Sequence, residues 1–257
     1  MIKYDKKAAQ GIELSYSTPD IANQRLRTLQ TLGINAGERV LDVGCGTGFL
    51  TKELAMLVGE SGYVLGVDNS ADMLDGGRER CAPFPQIELK QAAADALPVA
   101  DNSFDVVTCT QVLLYVPDLM AVLAELYRVL KPGGRIAIVE TDWRGVVINS
   151  DDEAMTRQVF GAFSEAVPNP NLPPQLSPLL REQGFHVLRV EPISIINTSM
   201  TPANFSVTAV EWMSDIAEKQ GSITSEQRQR WLGDLADKAA KGGYFFCVNR
   251  FLFSATK

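Results

Sequence analysis

The amino-acid sequence predicts an α/β fold in which helices cover both faces of a mostly parallel sheet. Over the first 142 residues, short apolar runs rich in β-branched residues alternate with amphipathic stretches at regular spacing, as in successive strand–helix–strand units. Right-handed crossovers between parallel strands place such helices on both faces. Later in the chain, "GGYFFCVNRFLFSATK" is a long alternating aromatic run that predicts a final strand.

The first part of the chain is expected to hold five strands and four helices. The strands are predicted at residues 39–43, 63–68, 87–95, 104–111 and 135–142. The helices are predicted at residues 20–34, 49–59, 70–81 and 118–130. Glycines end the first two helices, Ser70 is a suitable N-cap for the third, and "KPGG" ends the fourth.

The remainder of the chain is less regular. Residues 151–166 and two stretches within 204–241 are predicted to be helical, and "LLREQGFHVLRVEPISII" indicates a helix, a turn and a strand. The stretch "VPNPNLPPQLSP" carries five prolines and predicts a largely irregular connection. Because no repeat, low-complexity tract or linker interrupts the sequence, we expect one domain over residues 1–257, with helical insertions late in the chain.

Composition and charge are typical of a soluble globular protein: 46% of the residues are hydrophobic, 21% are charged, and the net charge is −7. There is no signal-peptide pattern and no apolar stretch near the length of a membrane span, so a cytoplasmic location without membrane insertion is expected. Lys and Arg are scattered, which argues against a nucleic-acid partner. The four cysteines form no CxxC pair and there is one histidine, so reduced thiols and no metal site are expected.

The stretch "RVLDVGCGTGFL" indicates a ligand that lies against bare backbone. It is an apolar strand followed by glycines at positions 44, 46 and 48. The dinucleotide fingerprint G-x-G-x-x-G would place its third glycine where Phe49 stands. Asp42, just before the first glycine, is a poor neighbour for a pyrophosphate because like charges repel. It suits an ammonium group, or it fixes the loop by accepting backbone N–H bonds.

Polar residues also end the other parallel strands, and these are Asp68, Asp95, Thr110 and the pair Glu140 and Asp142. In an open α/β sheet the ligand lies along the carboxyl ends of the strands. Asp68, about 20 residues past the glycine loop, could hold both ribose hydroxyls, and Asp95 could accept a hydrogen bond from an exocyclic amine. The expected ligand therefore has an amine, a ribose and a base, with no phosphate.

Four motifs in order carry a family resemblance. "VLDVGCGTGFLT", "GVDNSADML", "AAADALPVADNSFDVV" and "RVLKPGGRIAIVE" resemble the successive motifs of class I S-adenosylmethionine (AdoMet)-dependent methyltransferases. The resemblance covers residues 20–142 and is greatest to the ubiquinone/menaquinone group and related small-molecule methyltransferases. It implies AdoMet as cofactor and a Rossmann-like sheet of seven strands with the last one antiparallel.

The resemblance also implies roles for the residues that match the motifs. The loop under the methionine part of AdoMet would consist of Gly44, Cys45, Gly46 and Gly48. Asp68 would hold the ribose hydroxyls, and Asn69 and Met73 would flank the adenine. Two alternatives are that Met73 is a core residue and that Asn69 begins a helix.

Two further pairs would complete the cofactor site by the same resemblance. Asp95 would meet the adenine amine, with the backbone N–H of Ala96 beside it. Thr110 and Gln111, at the end of the fourth strand, would approach the amino-acid end of AdoMet.

Candidate catalytic residues follow the strand ends. In "VETDWRG", Glu140 or Asp142 could accept a proton from a phenol or an enol, and Trp143 could stack on an acceptor ring or face the sulfonium. The alternative is that Asp142 caps a turn and Trp143 covers the sheet edge. Tyr115 is a second candidate for the acceptor pocket. His186 begins the sixth strand, a position usually remote from the cofactor, and is expected to be structural.

Segments outside the AdoMet-binding core are assigned to the acceptor. Tyr4 and Tyr16 lie in a segment that resembles the part of the family that folds over AdoMet. Arg25 could pair with the methionine carboxylate, although a solvated helix face is the favoured alternative. Lid and acceptor elements are expected at residues 1–19, 143–183 and 197–243, including the proline-rich connection.

The sequence therefore predicts an AdoMet-dependent methyltransferase that acts on a small aromatic, phenolic or quinone-like molecule. Direct in-line displacement would rely mainly on proximity and orientation, so no dedicated base is required. Methylation of RNA or protein is disfavoured by the acidic charge and by "TQVLLY" after the fourth strand, where an Asn-Pro-Pro-Tyr type motif would stand. A non-catalytic AdoMet-binding protein, an NAD(P) oxidoreductase and an arsenic methyltransferase are weaker alternatives. A monomer or a homodimer is expected.

Overall fold

The computed structural model describes residue 11 and residues 13–257, and it confirms the α/β class. Its strands form one sheet and are β1 Arg39–Val43, β2 Tyr63–Asp68, β3 Ile87–Gln91, β4 Phe104–Thr110, β5 Leu130–Thr141, β6 Val147–Ile148, β7 His186–Asn197 and β8 Phe246–Thr256. The helices are α1 Pro19–Leu32, α2 Phe49–Val58, α3 Ala71–Cys81, α4 Leu119–Val129, α5 Glu153–Ala166, α6 Pro173–Glu182, α7 Phe205–Lys219 and α8 Ser225–Ala240. Short 3₁₀ turns at Leu113–Tyr115 and Trp143–Gly145 follow β4 and β5.

The sheet runs in the order β3-β2-β1-β4-β5-β8-β6, and β7 pairs with the other edge of β8. β1 to β5 pair in parallel. β8 is antiparallel to both β5 and β7 and lies between them. The expected seven-stranded sheet with an antiparallel last strand is thus confirmed. The structure adds β6, a two-residue strand that pairs with the start of β8 beyond the end of β5.

Four apolar clusters fill the interior of the described chain, and the three larger ones show where a site can lie. On one face of the sheet, α4 and α6 contribute Leu123 and Leu176. On the other face, α2 contributes Leu54. The third cluster is built by α5, α7 and α8 around Phe163 and Phe246, and we call it the late-helix cluster. Because Phe246 lies past the carboxyl end of β5 in the sheet register, the late helices cover the edge where the parallel strands end.

The third strand is shorter than the sequence predicts. β3 ends at Gln91 and does not reach Asp95. Gln91 pairs with Asp68, the last residue of β2, so the residues after Gln91 have no neighbouring strand to pair with. The N–H of Ala92 still donates to the Asp68 carbonyl at 3.0 Å, and the chain then turns. Asp95 is consequently an exposed turn residue.

The proline-rich segment is only partly irregular, so the prediction for it is wrong over its second half. Residues 173–178 belong to α6, which begins with two consecutive prolines. Proline is well suited to the first turn of a helix because its missing N–H has no partner there. Leu176 and Leu180 bury one face of α6 in the sheet core, and this packing outweighs the helix-breaking tendency of Pro178.

The described residues contain no disulfide, no metal-binding cluster and no helix suited to span a membrane. All four cysteines are free, and Cys45, Cys81 and Cys109 are buried. Within the described residues, no group of three or more His, Cys, Asp or Glu side chains is arranged to hold a metal ion. None of the helices in the described part of the chain combines the length and apolar character that a membrane span needs.

Candidate active site

The glycine loop after β1 is packed too closely for side chains. Gly44, Gly46 and Gly48 all have positive φ, of 72°, 53° and 77°. A Cβ on Gly44 would lie 2.1 Å from Cγ2 of Val112, in the segment that follows β4. The left-handed backbone and this close approach together require glycine at position 44. The loop therefore presents bare backbone at the carboxyl edge of the sheet, as the sequence predicts.

Replacing Gly44 by alanine is expected to lower the free energy of unfolding by about 2–4 kcal/mol, since it adds left-handed strain and a clash. Gly33→Ala is the matched control, because Gly33 is left-handed with φ 54° and a Cβ there would meet nothing within 4 Å. Urea denaturation gives the free energy of unfolding of both variants, and the difference between them measures the clash with Val112. Adding Val112→Ala to Gly44→Ala should recover about 1 kcal/mol or more. Equal destabilisation by the two alanines would contradict the packing argument.

Asp68 ties the glycine loop to the end of β2. Its Oδ2 accepts the backbone N–H of Gly46 at 2.9 Å, and its Oδ1 accepts that of Ser70 at 2.9 Å. Burial raises the pKa of Asp68, and the backbone hydrogen bonds oppose that rise. A carboxylate oxygen accepts more than one hydrogen bond, so both oxygens keep capacity for two adjacent hydroxyls. The position expected for a ribose-binding acid is therefore rigidly placed.

The expected adenine-side residues are unevenly placed. Met73 is buried, and its Cε lies 3.1 Å from where a Gly46 Cβ would be, so it packs against the glycine loop. Asn69 is exposed. The N–H of Ala96 donates to the Ala93 carbonyl at 3.2 Å, so the local turn competes for the donor expected to meet the adenine. With Asp95 exposed beyond β3, the adenine contacts of both residues stay predictions.

A narrow cavity beside the glycine loop holds unsatisfied polar groups. Its lining includes Tyr16, Asp42, Thr47 and Thr110. The hydroxyls of Thr47 and Thr110 are buried and have no hydrogen-bond partner within the described structure. Buried hydroxyls without partners are uncommon in folded proteins. A polar ligand segment with donor and acceptor groups, such as the amino-acid end of AdoMet, fits this lining.

Two charged residues next to this cavity are buried. The Asp42 carboxylate accepts the Thr51 hydroxyl at 2.6 Å, and burial raises its pKa to about 7. Arg25 pairs with Glu53 at 2.9 Å and donates to the Tyr16 carbonyl at 2.7 Å. Arg25 is 7% exposed, so the favoured alternative of a solvated helix face is wrong. It lines the cavity and fixes the segment that carries Tyr16.

Gln111, in the turn after β4, has a strained backbone conformation. It has φ 57°, which is uncommon for a residue with a side chain. Its backbone N–H and its Nε2 both donate to the Val139 carbonyl, at 2.8 and 3.1 Å, and its Oε1 accepts the Thr141 hydroxyl at 2.7 Å. These three bonds hold the turn after β4 against the end of β5, and they hold Thr110 at the cavity.

The end of β5 presents one deeply buried acid and one that caps a turn. Glu140 is fully buried, and its Oε1 accepts the N–H groups of Val112 and Leu113 at 3.0 and 2.7 Å. Its Oε2 has no partner among the described residues, and burial raises its pKa to about 8. Asp142 instead accepts the Arg144 N–H and pairs with its guanidinium, at 3.2 and 3.1 Å. Asp142 thus makes the expected alternative contact, the cap of a 3₁₀ turn.

The remaining candidates lie around the late-helix cluster, except His186. Trp143 is 5% exposed and packs edge-on against Phe163, with ring centroids 5.3 Å apart. Its indole N–H has no partner in the part of the chain described. Tyr115 packs against the same cluster. His186 is exposed at the far end of β7, opposite Thr256, and is remote from the strand ends, as expected. Tyr4 lies outside the described residues.

Sequence reasoning missed Arg250 on β8. Arg250 is 3% exposed, donates through Nη1 to the side chain of Gln24, and stacks 4.7 Å over the ring of Phe205. Its Nε has no partner among described residues. A signal for it exists in the sequence, because Arg250 has the same two-residue phase as the buried Val248 and Leu252.

The sheet order and the glycine loop are those expected of the class I AdoMet-dependent methyltransferase fold. A family model described as a methyltransferase domain matches residues 34–184, more than half of the chain, and the chain belongs to this family. Membership makes AdoMet the cofactor, which fits the polar lining beside the glycine loop.

Two other proteins are similar in sequence to this chain, over different lengths of it. An uncharacterized 37.1 kDa protein in transposon TN4556 of Streptomyces fradiae is 33% identical over 231 residues, 88% of this chain and 65% of that protein. Demethylmenaquinone methyltransferase of Lysinibacillus sphaericus is 46% identical over 114 residues, 44% of this chain. The chain spans about half the length, 49%, of that enzyme.

A solved structure shares the fold. Phosphoethanolamine N-methyltransferase 2 of Haemonchus contortus in complex with AdoMet has a TM-score of 0.62 and 22% identity. The match covers 99% of this chain and 57% of that one. At this identity the likeness shows the fold alone.

Proposed function

We propose that the protein transfers the methyl group of AdoMet to a small aromatic, phenolic or quinone-like molecule. The observation that carries this proposal is the late-helix cluster, which sets aromatic side chains over the strand ends where the cofactor loop lies. Trp143, Phe163 and Phe205 belong to it, and Tyr115 and Tyr16 pack against it. Flat apolar rings are suited to bind a flat acceptor. The name of the demethylmenaquinone methyltransferase relative supports the same acceptor class.

The proposed division of labour follows the fold. Residues 20–142 bind the cofactor, and residues 143–183 and 197–243, with the segment before residue 20, shape the acceptor site. In this scheme the glycine-loop backbone holds the methionine part of AdoMet, and Asp68 holds its ribose. When bound, AdoMet supplies a methyl group on a sulfonium, and transfer leaves the electron pair of the broken carbon–sulfur bond on sulfur.

The chain's own contribution to the reaction is alignment, exclusion of water and control of a proton. A buried, pre-arranged site supplies roughly 7–11 kcal/mol of barrier lowering in the best cases. If the acceptor is a phenol or an enol, its proton must leave, and Glu140 Oε2 is a buried oxygen without a partner within the described residues. Because burial raises the pKa of Glu140 to about 8, its ionised form, the minority form near neutral pH, would accept that proton. Asp142 is already paired with Arg144, so Glu140 is the better candidate of the two.

The test is a labelling experiment with the purified protein, AdoMet carrying an isotopically labelled methyl group, and a metabolite extract of the host. We expect label in a compound of low mass, identified by mass spectrometry. Label confined to RNA or protein would favour the alternative of a macromolecular methyltransferase. Tight binding of S-adenosylhomocysteine with no transfer to extract, RNA or protein would favour a non-catalytic AdoMet-binding protein.

A further inference from the structure

Arg250 is a buried cation without an ion pair. It is 3% exposed, and no carboxylate of a described residue lies within 4.0 Å of its guanidinium. Its guanidinium contacts the neutral side chain of Gln24 and the ring of Phe205. Its Nε has no hydrogen-bond partner within the described chain. Isolating a charge from water is costly unless an anion compensates it. The site around Arg250 is therefore incomplete without an anion.

The nearest acids do not supply that anion. Asp20 accepts the N–H of Phe205 and the amide of Asn197 through the same Oδ2, both at 3.0 Å. Glu140 is close enough for the Arg250 charge to lower its pKa, yet burial is the larger effect and the pKa of Glu140 rises to about 8. At neutral pH Glu140 is thus mainly protonated.

The position of Arg250 connects it to the cofactor loop. Thr141 pairs with Arg250 across β5 and β8, so the Arg250 side chain shares a face of the sheet with Thr141, at the end of β5. Gln24, the partner of Arg250, lines the cavity beside the glycine loop. Phe205, on the other side of Arg250, belongs to the late-helix cluster. Arg250 therefore lies between the cofactor loop and the aromatic side chains assigned to the acceptor.

We propose that Arg250 binds an anionic oxygen of the acceptor, a phenolate, enolate or carboxylate oxygen. The inference rests on the proposed function and narrows its acceptor to a flat molecule that bears an oxyanion. Arg250 is then a binding residue that fixes the orientation of the acceptor against the methyl group.

The test uses 4-nitrophenol, whose ionised form is coloured, and its neutral methyl ether 4-nitroanisole, each titrated into the protein saturated with S-adenosylhomocysteine. We expect 4-nitrophenolate to bind at least about tenfold more tightly than 4-nitroanisole, because a buried hydrogen bond to a charged group contributes about 1.5–3 kcal/mol. Arg250→Met should abolish this preference, and Arg250→Lys should retain part of it. Benzoate distinguishes the source of the oxyanion: tighter binding than 4-nitrophenolate identifies a carboxylate.

Stability and cofactor binding separate an acceptor role from a structural one. Replacing an unpaired buried cation by an apolar residue of similar size removes the cost of burying its charge, so Arg250→Met should melt no lower than the wild type. Its affinity for S-adenosylhomocysteine should change less than about threefold. Arg230→Met on the exposed face of α8 is the matched control. Equal binding of 4-nitrophenolate and 4-nitroanisole by the wild type, or an unchanged preference in Arg250→Met, would overturn the inference.

The proposed function can fail separately from this inference. If the phenolate preference depends on Arg250 and no small molecule accepts labelled methyl, Arg250 binds an anion but the protein is not a small-molecule methyltransferase. If label enters a neutral molecule and Arg250→Met leaves that transfer unchanged, the proposed function holds and the role of Arg250 is wrong.

Discussion

Replacing Asp68 by asparagine is expected to weaken the binding of S-adenosylhomocysteine by about a hundredfold or more. Both carboxylate oxygens accept a backbone N–H at 2.9 Å, one from Gly46 and one from Ser70. Asparagine keeps a single acceptor oxygen, so its NH₂ group would face one of these donors. Hydrogen bonds to charged groups contribute about 1.5–3 kcal/mol each, and the change disturbs the loop as well as the expected ribose contact.

Isothermal titration calorimetry with S-adenosylhomocysteine measures this effect. Asp72→Asn is the matched control, since Asp72 is an exposed acid in the first turn of α3. The control should bind within about twofold of the wild type. A loss smaller than about threefold in Asp68→Asn would show that this acid fixes the loop without contacting the ligand.

The second large effect is a fall in stability as the pH rises from about 5.5 to about 8. Burial raises the pKa of Glu140 from 4.5 to about 8 and that of Asp42 from 3.8 to about 7. Over this range the folded protein holds protons that the unfolded chain has released. The free energy of unfolding therefore decreases with increasing pH, by a few kcal/mol in order of magnitude. The stabilisation is complete below the unfolded pKa values and is lost as the pH passes the folded ones.

Urea denaturation at the two ends of this range checks the sign. Glu140→Gln preserves an oxygen that accepts the N–H groups of Val112 and Leu113, and it should flatten most of the dependence. Asp42→Asn should flatten a smaller part, because the folded pKa of Asp42 is about 7 and that of Glu140 is about 8. Glu153→Gln, whose side chain is 83% exposed, should leave the dependence unchanged. A rise in stability with pH in the wild type would contradict the assigned burial effects.

Local patterns predicted where the glycine loop and the acid at the end of β2 lie in the fold. The glycine spacing after β1 and the acid at the end of β2 are fixed by contacts within the motif, such as the Asp68 bond to Gly46. The predicted end of β3 was wrong, because a strand extends only as far as its neighbour can pair with it. β2 ends at Asp68, so pairing stops at Gln91 and Asp95 lies in the turn. No pattern within residues 87–95 shows where β2 ends.

The features that the sequence predicted wrongly or did not predict depend on tertiary packing. The prolines at 173 and 174 start a helix, because Leu176 and Leu180 bury its apolar face. Arg25 is buried by Tyr16 and Glu53, which are distant in sequence from the pattern of its own helix. In the sequence, Arg250 is a charged residue at a position of β8 that alternates with buried apolar residues. Its contacts with Gln24 and Phe205 follow only from the sheet order.

The position of β8 between β5 and β7 has a consequence for how the chain folds. β5 ends at Thr141 and its partner begins at Phe246, so a segment of roughly a hundred residues must be brought back before this half of the sheet closes. Such distant pairings slow folding. Until β8 docks, the facing edges of β5 and β7 lack their partner and are open to pairing with other chains. The Arg250 site is then completed in the same late step that completes the sheet.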